Sequence, residues 1–177
     1  MSRFFVIGSI GEVLAVNERD ISIGVARGYL RMERFGEAID ELEMLQSQFG
    51  ICDDSFELMI FAFVQLGELE AQNEYSRRVL FETNFSHGGA WANLIYNYGT
   101  TGNLRVAHIC INRALAECAG SADVNYEAAR VYCLEGNLAR AANFMMKAIG
   151  FDLDKRAWLS RDPDFESLRL FFKRGMK

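Results

Sequence analysis

The sequence predicts an all-α fold, a right-handed solenoid of stacked antiparallel helix pairs. Apolar residues recur at helical spacing, as Phe56, Met59, Ile60, Phe63 and Val64 do, and no stretch sustains the alternation a strand needs. Phrases built on glycine return at intervals of 34 or 35 residues: Gly67-Glu68-Leu69, Gly102-Asn103-Leu104 and Gly136-Asn137-Leu138. Counting back fourteen residues from each glycine, and from Glu33 in an earlier copy, sets unit starts at 19, 53, 88 and 122, and the eleventh position is then always aromatic: Tyr29, Phe63, Tyr98 and Tyr132. A lone helical hairpin cannot bury its apolar face, so such units must stack.

The elements follow in order. Residues 1–18 are expected to cap the exposed face of the first unit, with Phe4, Phe5 and Leu14 buried. Ser9-Ile10-Gly11-Glu12 has capping-box form and opens a short helix through Val16. Docking of this segment on a partner or a membrane surface is the alternative. Each unit (19–52, 53–87, 88–121 and 122–155) then reads as two helices of about fourteen residues. Glycine between them takes the left-handed conformation that ends the first helix, and Asn103 or Asn137 caps the second. Glu33 would cost about 1 kcal/mol in such a turn, which predicts a different turn in the first unit. Asp53-Asp54 suits the cap and the positive dipole end of its helix. The twentieth position, where the paired helices cross, holds Ala38, Ala107 and Ala141, but Gln72 in the second unit. That larger side chain should push the helices apart or shift the register toward Ala71. Residues 156–177 close the array, with Pro163 in the first turn of a helix capped by Asp162.

This pattern resembles the tetratricopeptide repeat, whose 34-residue signature runs W-x-x-L-G-x-x-Y, then A-x-x-x-F, then A. The third unit matches best, through Trp91, Leu94, Ile95, Tyr98, Gly102, Ala107, Ile111 and Ala114. The late proline of the family is absent from every unit, where Gly50, Asn84, Ala119 and Leu153 stand instead.

Composition excludes several classes. A chain of 177 residues with 50% hydrophobic content can fold without disulfides or metal. A net charge of −5 disfavours sequence-independent nucleic-acid binding, which needs a positive footprint. That charge is uneven: residues 1–154 carry 12 basic and 21 acidic side chains, and residues 155–177 carry 7 and 3. The positive end is read as solubilising, with contact to an acidic surface, such as another copy, as the alternative. Four cysteines without a CxxC pair fit a cytoplasmic protein with reduced thiols. Met1-Ser2-Arg3 ahead of Phe4-Phe5-Val6-Ile7 has the start of a signal peptide, but Glu12 interrupts the run and no cleavage site follows. No membrane span is expected, since none of the apolar runs approaches 20 residues.

Catalytic chemistry is not expected. His87 lies in a turn, His108 and Cys110 do not share a helix face, and no HExxH, Walker or dinucleotide motif occurs. No catalytic residue, metal or cofactor is assigned.

The resemblance implies instead a concave groove lined by the first helix of each unit. Its positions carry over to Arg27, Arg31, Glu57, Phe61, Gln65, Tyr96, Tyr126 and Arg130. Such a strip would take a peptide or protein segment, apolar side chains against the aromatics and a carboxylate at an arginine. The clamp with which some family members hold acidic chaperone C-termini is missing, since its positions hold Ile23, Arg27, Leu58, Gly89 and Asn93 in one register and Glu57, Phe61, Asn93, Asp123 and Glu127 in the next. The implied function is a non-catalytic scaffold or adaptor; a chaperone for a secreted or unstable client is the alternative, and self-association is open.

Overall fold

In the computed structural model the backbone is described for residues 5–175 and the side chains for residues 18–174. Ten α-helices follow one another: α1 (Phe5–Arg31), α2 (Phe35–Phe49), α3 (Asp53–Leu66), α4 (Leu69–Glu82), α5 (Gly88–Thr100), α6 (Leu104–Glu117), α7 (Ala122–Leu134), α8 (Leu138–Phe151), α9 (Lys155–Arg161) and α10 (Glu166–Gly175). A 3-10 turn, Pro163–Phe165, joins the last two, and no strand occurs among the described residues. The expected unit starts at 53, 88 and 122 are the first residues of α3, α5 and α7.

The described residues form two compact units, and the division falls directly after Gln72 inside α4. Gln72 is buried and Ala71 only partly so, which means the register has not shifted toward alanine. In the first unit α1 packs on α2 and α3, around Leu30, Ala38 and Ala62. Here the expected separate N-terminal helix is corrected: α1 runs unbroken from Phe5 to Arg31, so Ser9 is not a helix start. The helical periodicity passes through Val16 and Arg19 without a Gly-Pro or turn signal strong enough to stop it. Expected burial of Phe4, Phe5 and Leu14 lies outside the described side chains.

Turn chemistry corrects two further expectations. Glu33 does take the left-handed conformation, at φ 58°, so the first turn resembles the glycine turns after all. The cap of α3 is Cys52: its Sγ accepts the Ser55 N–H at 3.4 Å while Ser55 Oγ accepts the Cys52 N–H at 3.0 Å. Asp53 and Asp54 occupy the first turn, where the dipole favours them. Asn137 caps α8 through its side chain, whereas Asn103 makes no side-chain cap bond.

The second unit is built on α5 against α7 and α7 against α8. Ala107, Ala114, Ala141 and Ala148 are fully buried, which fits close helix approach. Trp91 donates its Nε1–H to the Phe85 carbonyl at 3.0 Å and stacks on the Phe85 ring. A polar seam joins α4 to α5, with Asn97 donating to Asn73 at 3.0 Å and Asn93 to Ser76 at 2.9 Å. At the far end Phe165 and Leu168 are inaccessible to solvent and complete the core of Tyr126, Met145 and Ala148.

Candidate functional site

Helical spacing places Tyr126 and Arg130 four apart on one face of α7, and Glu127 beside them. The Asp162-Pro163-Asp164-Phe165 turn folds onto that face. Arg130 donates from Nη2 to Asp162 Oδ2 at 2.7 Å, from Nη1 to Asp162 Oδ1 at 3.3 Å and to Asp164, and from Nε to Glu127 at 2.7 Å. Its carbon Cζ lies 5.1 Å from the ring centres of Tyr96 and Phe165 and 5.6 Å from that of Tyr126. The Tyr126 hydroxyl donates to Asp162 Oδ2 at 3.0 Å. Close by, the buried Lys155 holds its ammonium 3.4 Å over the Trp158 ring and pairs with Asp123.

The electrostatics follow from this crowding. Burial works against ionisation of Asp162, but the hydrogen bonds and charge of Arg130 outweigh it and hold the carboxyl below its usual range. Burial, and then the Asp162 charge, pushes the Tyr126 phenol up. Burial likewise raises the Glu127 carboxyl, against the pull of Arg130. Chemically the cluster is a receptor for a carboxylate, already occupied by the chain's own Asp162.

Tyr126 and Arg130, expected along the groove, are 3% and 6% exposed and anchor the C-terminal turn, so little of either side chain is open to a ligand. Tyr96 lies beside Arg130 and keeps 42% exposure. The remaining candidates sit in the first unit. Arg27 on α1 donates to Asp54 on α3 at 3.0 Å, which brings the two helices' faces together. Asp54, Glu57, Phe61 and Gln65 follow one another along α3 at helical spacing, and Arg27 and Arg31 do so on α1. All six are exposed, and Phe61, at 47%, is the large aromatic among them. The structure thus brings Arg27 to the α3 stripe, and Tyr96, Tyr126 and Arg130 to each other.

Sequence reasoning missed Asp162 and Asp164 as partners of Arg130. The signal available was the acidic D-P-D turn within an otherwise basic end. His87 caps α5 by accepting the Ala90 N–H at Nδ1, and His108 Nε2 meets Glu135 Oε1 at 2.6 Å. Among the described residues no group of three or more histidine, cysteine or acidic side chains could hold a metal ion. No helix among them is long and apolar enough to cross a membrane.

No family model matches the chain, and no curated protein does. Solved structures are similar to it. YrrB, described as a TPR protein with an unusual peptide-binding site, is 22% identical over 86% of this chain and 73% of its own, with a TM-score of 0.53. A MamA fragment from Desulfovibrio magneticus RS-1 is 16% identical over 89% and 93%, with a TM-score of 0.55. At these identities the likeness is one of fold: an all-α tetratricopeptide-type helical repeat.

Proposed function

We propose that the chain is a non-catalytic interaction module that binds a peptide or protein segment along the exposed α1–α3 face of its first unit. The observation that carries this reading is the exposed Phe61 on a stripe bordered by Arg27 and Arg31. Aromatic and arginine side chains are enriched in protein interfaces, and here an aromatic stands 47% exposed to water. Arg27 already binds a carboxylate, that of Asp54, with both side chains about half exposed. An acidic residue of a ligand would exchange for that contact at little cost, because exposed ion pairs are worth about 0–1 kcal/mol. The fold shared with peptide-binding YrrB agrees with such a role.

Selection of displayed random peptides on the purified protein tests the proposal. The peptides retained should combine an apolar residue with an acidic one, and Phe61→Ala with Arg31→Glu should abolish retention. Retention that survives both substitutions would place binding elsewhere.

A further inference from the structure

A recess lies between α8, α9 and α10 of the second unit. Its volume is about 560 Å³, and Met146, Ile149, Leu159 and Phe172 form its apolar walls. Arg156 on α9 and Lys173 on α10 stand exposed at the rim. The remaining polar lining is Ser160 and Arg169, with no acidic residue. Arg169 fixes the wall, since its Nη1 donates to the carbonyls of Leu159 at 2.9 Å and Asp162 at 2.6 Å. These bonds tie α10 to the end of α9 and the turn after it.

Magnitudes decide what class of occupant fits. Eight residues line the recess, whereas a specific protein interface engages roughly 20–30 residues a side. Small-molecule sites span about 300–1,000 Å³, are mostly apolar, and carry a few polar groups that orient the ligand. The recess belongs with the second class. Its charged groups are all cationic, so the head of the ligand must be anionic, and its walls need an alkyl or similar apolar body. We propose that this recess binds a free long-chain carboxylate, the tail against Met146, Ile149, Leu159 and Phe172 and the head between Arg156 and Lys173.

Titration calorimetry with dodecanoate below its micellar concentration tests this, with dodecyltrimethylammonium as the probe of opposite charge. Wild-type protein should bind dodecanoate saturably and the cation at least tenfold more weakly. Arg156→Glu with Lys173→Glu, two exposed positions, should weaken dodecanoate at least tenfold and reverse the preference, with the helical circular dichroism unchanged. Met146→Trp, which fills the recess, should weaken both probes. Absence of saturable binding, equal binding of the two probes by wild type, or undiminished dodecanoate binding by the double variant would overturn the proposal. These outcomes do not depend on Phe61, so failure here leaves the peptide reading standing.

Discussion

The guanidinium of Arg130 on α7 grips the carboxylate of Asp162, thirty-two positions later, through Nη2 at 2.7 Å and Nη1 at 3.3 Å. This pair closes the helical array, because it fixes the turn that delivers Phe165 and Leu168 into the core. Breaking a fully buried pair costs about 3–5 kcal/mol; Arg130 is buried but Asp162 only partly so, which leaves water to screen the carboxylate. Arg130→Ala should therefore destabilise by about 2–3 kcal/mol in urea unfolding. Arg130→Lys should recover only part of that, since an ammonium lacks the planar fork that meets Asp162, Asp164 and Glu127 together.

Acidification should act through the same contact. Asp162 has a folded-state pKa below its unfolded value, so its contribution is present above the ordinary carboxylate range and is lost as pH falls through the lowered value. Glu127, shifted the other way, opposes this in part. Thermal unfolding across pH should show wild type more stable than Asp162→Asn at neutral pH, with the gap closing at strongly acidic pH. A constant gap would show that the charge of Asp162 is not what matters.

Glu33 offers the opposite kind of test, a stabilising change. At φ 58° a side chain with a Cβ costs about 1–2 kcal/mol that glycine avoids, while glycine raises unfolded-state entropy by about 0.4–1 kcal/mol. Glu33→Gly should thus stabilise by about 0.5–1 kcal/mol in chemical denaturation. Gly67→Ala, at φ 73° in the equivalent turn, should destabilise by a similar amount.

The four cysteines should differ in reactivity. Burial opposes ionisation of Cys52, but hydrogen bonds from Ser55 and Arg19 outweigh it and lower the thiol. Burial raises Cys110 and Cys118 and pushes Cys133 up to about 11. Thiolate is the reacting form, so iodoacetamide at neutral pH followed by mass spectrometry should find Cys52 modified first and Cys110 and Cys133 last.

Local periodicity made most of the fold legible: the glycine and aromatic positions located α3, α5 and α7 to the residue. What it could not supply were effects set by distant residues or by competing local costs. Arg130 reads as a free groove residue until Asp162 folds over it, and no local pattern encodes that meeting. Glu33 accepts a strained turn because the packing of Leu30 and Ala38 on either side holds it there. Cys52 takes the cap from Asp53 by one position, a choice that depends on Ser55 reaching back to the Cys52 N–H. Phe61 and Arg31, by contrast, are exposed.

Binding of a display-selected peptide, measured by calorimetry, tests the central claim most directly. Wild-type protein should bind it, Phe61→Ala with Arg31→Glu should weaken binding at least tenfold, and Tyr126→Phe, at a buried site, should bind as wild type does. Unchanged affinity in the Phe61 and Arg31 double variant would contradict the account.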